Sequence, residues 1–204
     1  MPAPSFTHSL HSPHGRLLDL RQPQLLGILN LTPDSFYPGS RLAAADEAAL
    51  LHRAETMLTA GAAALDVGGY SSRPGADDVA PAEELRRVLP TIAALRREFP
   101  QAFLSIDTFR AAVAAEAVAA GADMVNDIGG GTLDADMLPT VARLRVPYCL
   151  MHLRGTPQTM RTLTHYNDDL VLSLLRFFRD QLDKLRLANG GHPPADVLLD
   201  PGFG

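Results

Sequence analysis

Polar side chains stand at six places of one kind in this sequence, at or beside the end of a short apolar run. Asn30 follows Gly27-Ile28-Leu29, and Asp66 lies in Ala64-Leu65-Asp66-Val67 just before Gly68-Gly69. Asp107 closes Leu104-Ser105-Ile106, and the pair Asn126-Asp127 closes Met124-Val125. His152 follows Cys149-Leu150-Met151, and Asp200 follows Val197-Leu198-Leu199. Leaving one buried polar group without a partner costs on the order of 1–3 kcal/mol, so a single residue of this kind reads as a helix N-cap or loop anchor. Six in register read differently. If the runs are parallel strands, all the carboxyl ends share one rim, where a β/α barrel does its chemistry. Aspartates accept hydrogen bonds, and asparagine both donates and accepts. Such a set, with no Cys partner and no HExxH pairing, suits a polar heterocycle with many N–H donors better than a tight zinc site.

Two long turns frame the rim. Thr32-Pro33-Asp34-Ser35-Phe36-Tyr37-Pro38-Gly39-Ser40 follows the first run, and Gly68 to Asp78 follows the second. Both mix Gly and Pro with hydroxyls and an aromatic, a composition suited to a lid over an anion. Arg73, in the second, offers a guanidinium fork matched to phosphate oxygens.

The elements that must position these residues alternate. Strands are expected at Leu25–Leu31, Ala64–Val67, Phe103–Ile106, Met124–Val125, Pro147–Met151 and Val197–Leu199. Between them lie helical segments at 46–59, 82–97, 109–120, 134–144 and 167–188. In 46–59 the stripe Leu50, Leu51, Ala54, Met57 and Leu58 has helical spacing, and Gly61 ends it. In 82–97 the stripe is Leu85, Val88, Leu89, Ile92 and Leu95, with Pro90 inside it predicting a kink or break. Strand–helix repetition argues for parallel βαβ units in one domain, residues 1–204. A doubly wound sheet would carry a Gly-rich phosphate loop after its first strand, and Leu31-Thr32-Pro33-Asp34 is not one. Ser5–Leu10 and Arg16–Leu20, flanking His14-Gly15, predict an N-terminal β-hairpin. The uneven His8, His11, His14 group reads as solvated.

Composition narrows the classes further. The chain has 204 residues, 46% hydrophobic and 20% charged, with 18 Lys+Arg against 23 Asp+Glu for a net charge of −5. That is an ordinary globular balance and excludes a disordered chain. No apolar run approaches the ~20 residues of a bilayer span. Met1 to Arg16 has no stretch suited to a signal peptide. No Lys/Arg block offers a nucleic-acid footprint. The one cysteine, Cys149, excludes an internal disulfide and fits a reducing cytoplasm.

The motifs also carry a family resemblance. Gly27-Ile28-Leu29-Asn30-Leu31-Thr32-Pro33-Asp34-Ser35-Phe36 resembles the opening motif of the dihydropteroate synthases, and Asp66 to Ala76 resembles their second. Further matches are Ser105-Ile106-Asp107-Thr108, Ala122 to Ile128, Met151-His152-Leu153-Arg154-Gly155-Thr156-Pro157 and Leu199-Asp200-Pro201-Gly202-Phe203-Gly204. The resemblance implies an α/β fold, a TIM-type (β/α)8 barrel of which about six βα units are present. It also implies condensation of 6-hydroxymethyl-7,8-dihydropterin diphosphate with 4-aminobenzoate, giving 7,8-dihydropteroate and diphosphate with Mg2+ present. It assigns Asp107, Asn126 and Asp200 to the pterin, and Asn30 to the Mg2+–diphosphate end. Thr32, Ser72, Arg73 and Pro74 fall to the diphosphate and aminobenzoate loops. A homodimer is implied for the family, with no nucleic-acid or membrane partner.

Two departures matter. Tyr70-Ser71-Ser72 stands where the family usually has Glu-Ser-Thr, which removes a charge at position 70. The resemblance also implies a Lys, and an Arg and His, from segments that would follow Gly204, so the chain is expected to be C-terminally truncated. An inactive fragment or paralogue, or a corrinoid-linked pterin-binding methyltransferase, are the alternatives. His152 reads as a hydrogen-bonded structural residue and Cys149 as inert core. Met151 packs on the ligand face or the core. Asp66 is a candidate to orient Asn30 or touch pterin, and Asp127 a candidate anchor for Gly129-Gly130-Gly131.

Overall fold

The computed structural model describes residues 8–31, 44–70, 79–167, 169–192 and 196–203. A hairpin of β1 (Ser9–His11) and β2 (Leu17–Asp19) precedes six strands: β3 (Leu26–Asn30), β4 (Ala64–Gly68), β5 (Phe103–Asp107), β6 (Met124–Asp127), β7 (Tyr148–Met151) and β8 (Val197–Asp200). The helices between them are α1 (Ala44–Thr59), α2 (Pro81–Glu98), α3 (Ala111–Ala119), α4 (Met137–Leu144) and α5 (Leu170–Ala188). All neighbouring strands from β3 to β8 pair in parallel and in chain order. A doubly wound sheet would reverse that order at a switch point. Strictly sequential order with outer helices is the winding of a β/α barrel, as expected.

Period-two alternation splits each strand between two environments. Leu29, Leu65, Val67, Leu104, Ile106, Val125, Tyr148 and Leu150 pack outward against the helices in the main core. Full burial of each such side chain stabilises by roughly 1.5–3 kcal/mol. The other face carries Ala64, Phe103 and Met124, which form a second cluster with Leu10 and Leu18 of the hairpin. The hairpin therefore covers the amino ends of the strands and leaves the carboxyl ends to the rim.

A buried carboxylate fastens it there. Asp123 accepts from Ser12 Oγ (2.5 Å), Arg16 Nε (2.8 Å), an Arg96 guanidinium nitrogen (2.7 Å) and the Leu104 backbone N–H (2.8 Å). His14 Nε2 also lies 2.9 Å from the Val118 carbonyl oxygen. The histidine segment, expected to be merely solvated, is thus part of this clasp even though His11 and His14 stay exposed.

The break allowed for at Pro90 does not occur. Pro90 neither ends nor divides α2, which runs unbroken from Pro81 to Glu98. Pro90 is exposed, so the carbonyl left without its helical donor faces water, while Glu84, Val88, Ile92 and Leu95 hold the opposite face in the core. At α5, Asp169 caps the helix by accepting from Leu172 N (2.8 Å). Among the described residues no helix is long and apolar enough to cross a membrane.

Candidate functional site at the strand carboxyl ends

Register brings the strand-end residues together. Asn30 is level with Gly68, Gly68 with Asp107, and Asp107 with Asn126. One layer nearer the amino ends, Asp66 lies across from Ser105. Gly68 is where the chain needs no side chain. A Cβ there would sit 3.3 Å from both Asn30 Oδ1 and Asp107 Oδ2, so the glycine lets the two polar groups converge over β4. On the far side, Asp200 Oδ1 accepts from Gly202 N (2.8 Å), and the Asp200 carbonyl accepts from His152 N (2.8 Å). Gly202 (φ +75°) holds a left-handed turn so tight that a Cβ would meet the His152 carbonyl oxygen at 2.7 Å. Met151 Cε borders the same turn, which places Met151 at the rim.

Beneath Asn126, Asp66 Oδ2 accepts from its Nδ2 at 2.9 Å. Asp66 orients Asn126, therefore, and not Asn30. Its other oxygen, Oδ1, is buried without a hydrogen-bond partner, and so is Ser105 Oγ across the ladder. Ser105 is near enough to favour the ionised carboxylate, but no hydrogen bond of sound geometry joins them.

The electrostatics are one-sided. Burial, and then the charges of Asp66, Glu84 and Asp127, hold the Asp107 carboxyl well above the usual carboxylate range. Burial likewise raises Asp66, against the pull of Ser105 and Asn126. Burial also pushes the Cys149 thiol up to about 12, with Asp200, Asp66, Asp127 and Asp107 adding to it. The rim is a field of negative charge and hydrogen-bond acceptors, suited to donors and to developing positive charge.

Asp127 is an anchor. Its oxygens accept from Gly129 N (2.7 Å), Gly131 N (2.7 Å) and Tyr148 Oη (2.6 Å) on the outward side of β6. His152 packs edge-on against Phe177, ring centroids 4.9 Å apart, and near Tyr166 at 6.2 Å. Burial and nearby Arg154 lower its pKa. Its role is structural, as expected, although the ring acts by packing and the bond is made by its backbone. Tyr70 is buried: Phe109 meets it edge-on at 5.0 Å, the Arg110 guanidinium lies 5.2 Å over it, and Gln158 Nε2 donates to its hydroxyl (2.7 Å). The charge lost at position 70 is thus replaced by a packed aromatic tied to the loop after β7. Glu84 of α2, fully buried, accepts from Thr108 Oγ1 (2.7 Å) and pairs with Arg110 (2.6 Å). Sequence reasoning missed it, although Glu84 stands four residues before Val88 on the apolar stripe. Thr32, Ser72, Arg73 and Pro74 lie outside the described residues.

For a metal, Asn30 Oδ1 is an oxygen donor close to Asp107 Oδ2 across Gly68. Among the described residues no group of three or more His, Cys, Asp or Glu could hold an ion alone. That donor set fits a hard cation taking most of its oxygens from phosphate and water, as Mg2+ commonly does.

Sequential parallel winding with an acceptor-rich carboxyl-end rim defines a β/α-barrel protein. Residues 26–204 match the family described as pterin binding enzyme, and the chain belongs to that family. It is 46% identical over 184 residues to a dihydropteroate synthase of Synechocystis, covering 90% of this chain and 62% of the relative. It is 38% identical to that of Haemophilus influenzae, covering 94% of this chain and 67% of the relative. Among solved structures, it resembles a Yersinia pestis dihydropteroate synthase in a sulfonamide drug complex, with TM-score 0.82, 43% identity, 96% of this chain and 68% of that one. A Xanthomonas albilineans dihydropteroate synthase in complex with 7,8-dihydropteroate gives TM-score 0.76, 37% identity, 96% and 66%. The chain spans about two thirds of the length of these relatives.

Proposed function

We propose that this chain carries the pterin site of a dihydropteroate synthase, which joins 6-hydroxymethyl-7,8-dihydropterin diphosphate to 4-aminobenzoate and releases diphosphate. The observation that carries this reading is the convergence of Asn30, Asp107, Asn126 and Asp200 at the carboxyl ends of sequential parallel strands. Relatives of that name, one of them solved with 7,8-dihydropteroate, support it.

In this reading the carboxylates of Asp107 and Asp200 accept the N–H donors of the ring, and Asn126 meets its mixed edge. The C–O bond to diphosphate breaks with its electron pair leaving on the diphosphate. Positive charge then grows on the exocyclic carbon, where the carboxyl oxygens of Asp107 and Asp200 stabilise it, the cation itself drawing the raised Asp107 toward its ionised form. The lone pair of the aryl amine closes the C–N bond, and one amine proton passes to solvent or to the departing diphosphate. An aryl amine is nucleophilic without help, so the protein's part is positioning and exclusion of water. Asn30 Oδ1 is the protein oxygen that would help hold a Mg2+ ion, which when bound would supply positive charge for the leaving diphosphate. Thr32, Ser72, Arg73 and Pro74 belong to the diphosphate and aminobenzoate loops in this proposal. A homodimer and a cytoplasmic location complete it.

The test is calorimetric binding of the pterin diphosphate, followed by product formation with 4-aminobenzoate and Mg2+. Binding that Asp107→Ala abolishes supports the reading. Absence of pterin binding by the wild-type chain refutes it. Transfer of a methyl group to a corrinoid, without dihydropteroate formation, would favour the methyltransferase instead.

A further inference from the structure

The group that the mechanism leaves least explained is the lower end of the site. Asp66 is nearly fully buried, at 5% exposure, one layer below Asn126. One of its oxygens holds Asn126 Nδ2 and the other holds nothing among the described residues. Of the three residues assigned to the ring, Asp107, Asn126 and Asp200, Asn126 is the one whose two ends differ chemically, since its amide can present a carbonyl or an NH2 group. A carboxylate underneath decides which. It accepts only, so it draws Nδ2 toward the amino ends of the strands, and the carbonyl oxygen turns toward the carboxyl-end rim. The backbone N–H of Thr108, bonded to the Asn126 carbonyl (3.0 Å), fixes the strand from which this amide projects.

We propose that Asp66 is a positioning residue that sets ring specificity: by holding Asn126 Nδ2 from below, it makes the amide's upper face an acceptor. Resting on the pterin reading above, this extends it to a rule for substrate choice. With Asn126 so fixed, the rim offers the Asp107 and Asp200 carboxyls and the Asn126 side-chain carbonyl as acceptors to a ring edge rich in N–H donors, and the second Nδ2 proton remains for the ring nitrogen of the mixed edge. A ring of the same shape whose 2-amino group is replaced by a carbonyl meets acceptors with an acceptor and is rejected. Rejection of this kind is strong because the site's polar groups are left without partners.

The experiment compares 6-hydroxymethylpterin with its 2,4-dioxo counterpart, 6-hydroxymethyllumazine, by calorimetry on the wild-type chain, Asp66→Asn and Asp66→Ala. The wild type should prefer the 2-amino ring. In Asp66→Ala, with folding verified by circular dichroism, that preference should shrink by about tenfold, the worth of one hydrogen bond changing sense, whereas Asp66→Asn, whose side-chain carbonyl can still accept from Asn126 Nδ2, should keep most of it. Parallel weakening of both ligands with an unchanged ratio in Asp66→Ala is what a merely structural Asp66 would give, and it would overturn the proposal. If neither variant folds, the wild type still decides. Its Asn126 side-chain amide, assigned in 15N spectra through its loss in Asn126→Asp, should show one proton protected from exchange by Asp66. Two equivalent, freely exchanging protons would overturn the proposal. Wild-type chain that binds neither ring sinks the pterin reading itself and this rule with it, whereas binding without a change of ratio sinks the rule alone.

Discussion

Replacing Gly68 with alanine separates the site from the fold. The added Cβ would lie 3.3 Å from Asn30 Oδ1, 3.3 Å from Asp107 Oδ2 and 3.5 Å from Asp107 Cβ. These are tight contacts without hard overlap, and the neighbours are side-chain atoms. The Gly68 backbone is also not left-handed, so alanine brings no strain of that kind. Alanine in a strand regains roughly 0.5–1 kcal/mol over glycine by lowering the entropy of the unfolded chain. Crowding of two side chains by a few tenths of an ångström offsets a gain of that size. The melting temperature should therefore stay within about 4 °C of wild type, since 1 kcal/mol moves a chain of this length by about 2–4 °C. Ligand binding has no such compensation. A methyl between the two oxygens pushes them apart and removes at least one hydrogen bond to a charged group, worth about 1.5–3 kcal/mol. Affinity for the pterin diphosphate should fall by about 10- to 150-fold. Calorimetric titration and differential scanning on the same preparation read both numbers. Unchanged affinity would show that Asn30 and Asp107 do not act together over β4, and a collapsed melting temperature would show that Gly68 serves the core.

Three further outcomes follow from the same geometry. Asp123→Ala leaves Arg16 and Arg96 without their buried partner; a loss of about 3–5 kcal/mol lowers the melting temperature by about 6–20 °C. Pterin affinity measured below the new transition should hold, because the clasp is at the opposite end of the strands; a matching loss of affinity contradicts that separation. Cys149, with its thiol at about 12, should react with a disulfide reagent at pH 8 about a thousandfold more slowly in the native chain than in the unfolded one. Native reactivity equal to unfolded reactivity would place it outside the acidic interior. Asp107 keeps its proton to higher pH folded than unfolded, so folding takes up a proton. That contribution is complete below the ordinary Asp range and is lost as pH rises through the raised native value. Asp107→Asn, which stays neutral, should accordingly gain melting temperature relative to wild type as pH rises above the ordinary Asp range. The difference between the two curves cancels opposing groups such as His152, and a flat or falling difference counts against the buried-carboxyl account.

The strand-end row was legible because parallel strands buried on both faces read as short apolar runs, each broken where the chain reaches the rim. Asn30, Asp107, Asn126 and Asp200 stand where that pattern puts them. Residues outside the pattern were not visible in the same way. Asp123 precedes β6, with nothing in Ala122-Asp123-Met124 to show that Arg16 and Arg96 converge on it from distant segments. Glu84 could have been found, since it shares the phase of Val88, Ile92 and Leu95, and a carboxylate on an apolar stripe demands a partner. The choice of partner for Asp66 depended on strand register, because Ile28 and Ser105 flank it while Asn126 reaches it from two strands away. Pro90 misled because a proline's effect depends on which face it occupies, and α2 turns it to water.

The decisive measurement is the affinity of the wild-type chain and of Asp107→Ala for 6-hydroxymethyl-7,8-dihydropterin diphosphate, side by side. The acceptor rim predicts saturable binding by the wild type and a loss of about tenfold or more on removing that one half-buried carboxyl, with the fold intact. Equal affinity in the two proteins would mean that the pterin, if it binds, does so somewhere other than the carboxyl ends of these strands.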